Sequence, residues 1–147
     1  MTAKHMPQMV SVMVPFPYSI EAGAVLSDAD AMMQKHQIRH LPVVDNNDII
    51  GVISDRDLQK AVSIGHKIQD EADLLVGDLV THRPYMVDVS DPVANVVSAM
   101  ATKRLGSVIV LKEGDIAGIF TAVDALEHYS ELLHELYDSD GEGNDAA

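Results

Sequence analysis

The chain has no cysteine and no tryptophan, only two phenylalanines, and few basic residues: 10 Lys and Arg stand against 23 Asp and Glu among 147. Each shortage excludes something. Without cysteine there are no disulfides and no thiol chemistry. With so few aromatics, the core must be built from Val, Ile, Leu, Met and Ala. No run reaches the ~18 apolar residues of a membrane span, and the longest apolar stretches, such as 107–111, are of strand length. The first nine residues lack a basic region followed by an apolar one, so no signal peptide is expected. The formal net charge of −13 repels nucleic acid and anionic membrane, which argues against both as partners. A soluble, cytoplasmic protein is expected.

What is present suffices for a core: 47% of the residues are hydrophobic, ordinary for a globular chain. The length suits one compact domain or two small halves sharing a core. Part of the negative charge sits at the end, where Asp138, Asp140, Glu142 and Asp145 lie among Ser139, Gly141, Gly143 and Asn144. That composition predicts a disordered, solubilising tail.

The chain repeats itself. Gly51-Val52-Ile53-Ser54-Asp55-Arg56-Asp57 aligns with Gly118-Ile119-Phe120-Thr121-Ala122-Val123-Asp124, and the two glycines are 118 − 51 = 67 positions apart. The register continues backwards without a gap. Asp48-Ile49 meets Asp115-Ile116, Val43 meets Val110, Met33 meets Met100, and Pro17-Tyr18 meets Pro84-Tyr85. Apolar meets apolar from about residue 10 to 59, which marks two copies of one supersecondary unit.

Each copy predicts the same elements. Residues 18–20 are extended. Apolar positions 25, 26, 29, 32 and 33 have helical spacing, with Ser27 or Asp28 as the N-cap. The β-branched run 41–44 is a strand, Asn46-Asn47 a turn, and 49–53 a second strand completing a hairpin. A helix over 55–64 follows, capped by Ser54 or Asp55. The second copy gives 85–87, a helix 94–104, strands 108–111 and 116–120 around Glu113-Gly114, and a helix from 122. The fold class is therefore α+β, a β-α-β-β-α unit twice, over 8–66 and 75–128, with a polar connection at 65–72. One three-stranded sheet with two helices cannot bury both its faces. Two copies packed sheet to sheet about a pseudo-twofold axis can, and they create two equivalent clefts. Residues 129–147 complete the last helix and the acidic tail. On that helix Leu126, Tyr129, Leu133 and Leu136 recur at spacings of 3, 4 and 3, beside Leu132 and Tyr137. Such a stripe packs within the chain or against a partner subunit.

The doubled pattern Gly-apolar-apolar-Ser/Thr-x-x-Asp, preceded by a hairpin and followed by a helix, resembles the CBS domain family over residues 8–127. The resemblance implies a tandem pair (Bateman module) in which Ser54 with Asp57, and Thr121 with Asp124, bind ribose. The chemistry suits this. Free backbone donors at a helix start favour polar or anionic groups. A carboxylate one turn in accepts hydrogen bonds from both ribose hydroxyls, and the neighbouring hydroxyl adds another contact. The same residues also suit a simpler role, as N-caps and dipole-complementing acids, and the two roles are compatible.

In the family, cations for phosphate often precede the first hairpin strand. Arg39-His40 stands there in the first repeat and Gly106-Ser107 in the second, while Arg56 faces Val123 in the alignment. The first cleft is thus expected to take the nucleotide, its adenine near Asp78, Arg83 and Ser107 of the other repeat. The second, with Lys103 or Arg104 in reach, is nearer in character to a nucleoside or empty site. The expected ligand is AMP, ADP or ATP, and S-adenosylmethionine and NAD are alternatives that ribose contacts do not separate. The resemblance implies a homodimer acting in trans on an effector protein that the sequence does not name. A structural dimerisation module with empty clefts is the remaining alternative.

Catalysis and metal chemistry find little support. There is no Gly-Lys-Ser/Thr phosphate loop, nucleophile elbow or zinc ligand set. His128 and His134 lie six apart, which is not a shared-face spacing. His5, Met6 and Met9 read as a Met-rich start rather than a soft-metal site. No enzyme, catalytic cofactor or metal is expected.

Overall fold

The computed structural model describes residues 5–15, 17–63 and 74–138; the expected connection at 65–72 and the tail from 139 onward lie outside them. In chain order the elements are α1 (Met9–Val12), β1 (Val14–Pro15), β2 (Ile20–Glu21), α2 (Leu26–His36), β3 (His40–Asp45), β4 (Asp48–Ser54) and α3 (Asp55–Ser63). A 3-10 turn (Val76–Leu79) follows, then β5 (Met86–Asp88), α4 (Val93–Lys103), β6 (Ser107–Lys112), β7 (Asp115–Thr121) and α5 (Ala122–Tyr137). The expected β-α-β-β-α order appears twice, as β2 to α3 and as β5 to α5.

Packing divides the chain into two compact units, Phe16–Met86 and the pair Met1–Pro15 with Val87–Ala147. In the first unit, β2-β3-β4 form one sheet, with β2 parallel and β4 antiparallel to β3. Its core gathers Leu26, Ala29 and Met33 from one face of α2 with Leu41, Val43, Ile53 and Leu58. In the second unit, β1-β7-β6-β5 form a four-stranded sheet. Val96 and Met100 of α4, with Val108, Val110 and Phe120, make its core. Branched aliphatics and Met fill both cores, as the scarcity of aromatics requires; Phe120 alone brings a buried ring among the described residues.

The 67-residue offset holds down to backbone detail. α2 ends on Gln37 in the left-handed region (φ 53°) and α4 on Arg104 (φ 56°), each returning its N–H to the last turn. The hairpins turn through Asn46 (φ 50°) and Asn47 (φ 70°), and through Glu113 (φ 54°) and Gly114 (φ 85°). Two left-handed residues match the twist of the flanking strands. Both hairpins carry an irregularity at one place, Val43/Val44 and Val110/Leu111.

The start of α2 departs from the sequence expectation. The residue before α2 is Val25, which offers no side-chain cap. Ser27 and Asp28 fall inside the first turn, where Asp28 complements the helix dipole instead. The spatial units place Met1–Pro15 with the second repeat and keep the chain up to Met86 with the first. β1, from the segment ahead of the first repeat, pairs antiparallel with β7 of the second, Pro15 opposite Gly118. Met13 lies so close to Gly118 that a Cβ there would sit 2.5 Å from its Sδ and 2.8 Å from the Val14 carbonyl oxygen. Val80, 67 positions after Met13, covers Gly51 in the same way, at 2.4 Å from Cγ1. Each repeat is covered by the segment that precedes the other.

Candidate ligand-binding site

In the first unit β4 runs straight into α3 at Ser54. The Ser54 N–H donates to Asp57 Oδ2 at 2.7 Å and the Ser54 hydroxyl to the same oxygen at 3.1 Å. The Asp57 N–H returns a bond to Ser54 Oγ at 3.3 Å. This reciprocal box satisfies donors that the helix start leaves free. The Arg39 carbonyl accepts from the Asp55 N–H at 3.0 Å, and His40 stands opposite Ser54 in the β3–β4 ladder. Arg39, His40, Ser54 and Asp57 therefore meet at one end of the sheet.

The second unit repeats this with other side chains. The Thr121 N–H donates to Asp124 Oδ2 at 2.9 Å, and the Asp124 N–H to Thr121 Oγ1 at 3.2 Å. The Gly106 carbonyl accepts from the Ala122 N–H at 2.9 Å, and Ser107 stands opposite Thr121. All four cap residues are partly buried. Among the described residues the bonds to each carboxylate use Oδ2 alone, so Oδ1 has acceptor capacity for a diol.

The other expected residues are distributed unevenly. Arg56 is exposed on α3, and the Arg39 side chain borders a groove between α2 and α3. Asp78, exposed in the 3-10 turn, accepts the Leu75 N–H at 2.9 Å. Arg83 is exposed in the stretch before β5. Asp78 and Arg83 belong to the same unit as Ser54, and Ser107 to the other.

Sequence reasoning missed one feature at this end of the first unit. Tyr18, just ahead of β2, stacks on His36, the last residue of α2, with centroids 3.7 Å apart and planes at 13°. Nothing in the spacing of residues 18 and 36 announces it. Elsewhere, His128 is held by the Val12 carbonyl at 3.2 Å and by Glu131 at 3.3 Å, and His134 pairs with Asp138. Among the described residues no cluster of His, Cys, Asp and Glu could hold a metal ion, and no helix is long and apolar enough to cross a membrane.

The comparisons with known proteins agree with this geometry. A family model for the CBS domain matches twice, over residues 10–64 and 76–131. An inosine-5'-monophosphate dehydrogenase of Nitrosopumilus maritimus (strain SCM1) is 34% identical over 116 residues, which cover 78% of this chain and 22% of the enzyme. The chain spans between 10% and 22% of the length of the curated relatives it matches. The fold is that of solved CBS pairs. The CBS domain pair of protein MJ0100, in complex with 5'-methylthioadenosine and S-adenosyl-L-methionine, superposes with a TM-score of 0.74 at 21% identity, over 86% of this chain and 98% of that one. CBSX2 in complex with AMP gives 0.67 at 23%, over 85% and 97%.

Proposed function

Because the chain belongs to the CBS domain family, we propose that it is a regulatory module that binds an adenosine-containing ligand reversibly and passes occupancy to a partner in trans. The observation that carries this reading is the pair of Ser/Thr–Asp boxes at one register, each with a carboxylate oxygen left over for a ribose diol. Solved pairs of this fold in complex with AMP, and with 5'-methylthioadenosine and S-adenosyl-L-methionine, support the ligand class. The preferred ligand is AMP or ATP, in the cleft served by Ser54 and Asp57, because Arg39 and Arg56 supply cations and His40 an imidazole where the second repeat has Gly106, Val123 and Ser107. Asp78, Arg83 and Ser107 are assigned to the adenine side. The module works as a cytoplasmic homodimer, by binding rather than turnover.

A thermal-shift panel with adenosine, AMP, ADP, ATP, S-adenosylmethionine and NAD tests this. A ligand that binds only the folded state raises stability by about 2.7 kcal/mol at a hundred times its Kd, a shift of several degrees for a chain of this size. The reading expects the largest shift with AMP or ATP. A larger shift with S-adenosylmethionine selects the second reading, which the complex of the MJ0100 pair favours. No shift with any of the six contradicts the binding role.

A further inference from the structure

The segments that cover the two repeats are seated differently. In the first unit the Val76 N–H donates to the Ala24 carbonyl and the Gly77 N–H to the Ala22 carbonyl, both at 2.8 Å. That approach needs glycine: a Cβ on Gly77 would lie 3.0 Å from the Ala22 Cβ and 3.1 Å from the Ala22 carbonyl oxygen. At the offset of 67, Val76 and Gly77 correspond to Met9 and Val10, and Ala22 and Ala24 to Val89 and Asp91. Met9 is fully buried, as Val76 is, so the cover reaches the core in both units. Val10, however, brings a branched Cβ to the glycine position, opposite Val89 in place of Ala22. Among the described residues neither backbone bond has a counterpart. The cover stands off instead, and a groove of about 440 Å³ lies between 6–10 and 89–92, within the second unit alone.

Met6, Pro7, Val10, Val89 and Pro92 give this groove an apolar lining. Two charged side chains, Lys112 and Asp91, border it. Both are peculiar to this repeat, since the first has Asp45 and Ala24 at those positions. They are not paired with each other, and Lys112 makes no ion pair with a described residue. Asp91 accepts the Asp88 N–H at 2.9 Å through Oδ2, which leaves Oδ1 as an acceptor.

The geometry points to a binding site for a free apolar α-amino acid, such as leucine or methionine. Its carboxylate meets the Lys112 ammonium, its α-ammonium meets Asp91 Oδ1, and its side chain lies on the apolar lining. A ligand with one charge leaves the other rim group unanswered, and an uncharged ligand leaves both. An apolar groove of this size with a few polar groups at its edge has the make-up of a small-molecule pocket. Charge pairs at an exposed rim are individually weak, so the expected Kd is of roughly millimolar order, and selectivity is the sharper signature. The site is separate from the Ser/Thr–Asp boxes and does not rest on the adenosine reading.

The test is an amide chemical-shift titration of the isotope-labelled chain with three probes. They are L-leucine, L-leucinamide, which lacks the carboxylate, and N-acetyl-L-leucine, which lacks the ammonium. The expected result is saturable shifts at Val10, Val89 and Lys112 with leucine, and binding about tenfold weaker for each derivative. Lys112→Gln should bring leucine down to the level of leucinamide. Asp91→Asn, which keeps an oxygen for the Asp88 N–H, should bring it down to that of N-acetyl-leucine. Asp57→Asn should leave leucine binding as in the parent, so this site and the adenosine reading fail or stand separately. Leucine shifts that do not saturate at millimolar concentration overturn the site, and so do derivatives that bind as well as leucine. A leucine affinity unchanged in either Lys112→Gln or Asp91→Asn overturns it too.

Discussion

The two repeats agree in their backbone devices and differ in the side chains around the candidate site and on the helical faces. Left-handed helix ends, hairpin turns, bulges, the covered glycines and the Ser/Thr–Asp boxes all coincide at an offset of 67. The positions that differ are Arg39, His40 and Arg56 against Gly106, Ser107 and Val123, and the polar rim of the α2–α3 groove against the apolar ridge on α5. Two copies under the same folding constraints act as controls for each other: the shared boxes serve both helix starts, and the side chains that differ around them are where the two halves can be told apart.

The glycine pair breaks the symmetry most strongly. At Gly118 a methyl group meets the Val14 carbonyl oxygen at 2.8 Å in addition to Met13, whereas at Gly51 the three nearest atoms all belong to the Val80 side chain. Backbone paired in a sheet moves less readily than a side chain. Overpacking of this kind costs roughly 1–3 kcal/mol, so Gly118→Ala should fall at the upper end and Gly51→Ala at the lower. Urea unfolding of both variants checks the order. Equal losses would mean that β1 yields as easily as Val80 and is not firmly paired with β7.

Removing the caps should bring the halves back together. Thr121→Ala and Ser54→Ala each remove a hydroxyl cap, worth about 1 kcal/mol. Thermal melts without ligand should give equal losses, because both boxes have the same backbone geometry. A clearly larger loss at Ser54 would show that its additional hydroxyl bond to Asp57 carries weight in the fold.

Arg39 sharpens the electrostatic difference. On the proposed reading, in which the guanidinium addresses phosphate alone, Arg39→Ala should weaken AMP and ATP several-fold and leave adenosine unchanged in titration calorimetry. Equal weakening of adenosine and AMP removes the phosphate role.

The smallest effect concerns acid. Ser90, by its hydroxyl and then its backbone N–H, holds the exposed Asp88 carboxyl below the usual carboxylate range. The first repeat has Glu21 and Gly23 at the equivalent positions. A folded-state pKa below the unfolded one adds stability that is fully present above the unfolded value. It is lost as pH falls through the folded value. Ser90→Ala should therefore flatten the acid limb of Tm against pH slightly, and Gly23→Ala should not. An unaltered limb for Ser90→Ala would show that the contact is not kept in solution.

The duplicated order of strands and helices was legible in the sequence because each element is set by near neighbours: period 3.6 in α2 and α4, left-handed residues at the hairpins, and a hydroxyl three residues from its carboxylate. The Ser54–Asp57 and Thr121–Asp124 boxes were legible for the same reason, since a capping box is local. What escaped depends on distant contacts. β1 is two residues long and has no pattern of its own; only its pairing with β7 makes it a strand. The uncapped start of α2 follows from where Leu26 must face the core, two residues earlier than a cap at Ser27 would allow. The Tyr18–His36 stack and the course of Arg39 along the α2–α3 groove arise from how α2 lies on its sheet, which neither local pattern nor spacing specifies.

The central claim is that the chain binds an adenosine ligand through the carboxylate of the first repeat. The most direct measurement is titration calorimetry of AMP into the parent chain, Asp57→Asn and Asp124→Asn. Asn keeps one oxygen for the capping N–H and loses the charged acceptor for the ribose, so the helix start survives. Hydrogen bonds to a charged group contribute roughly 1.5–3 kcal/mol each, so Asp57→Asn should weaken AMP at least tenfold, while Asp124→Asn changes it by less than threefold. AMP binding that survives Asp57→Asn and disappears with Asp124→Asn would contradict the assignment of the site, and a parent chain that binds no AMP would contradict the preference for adenine nucleotides.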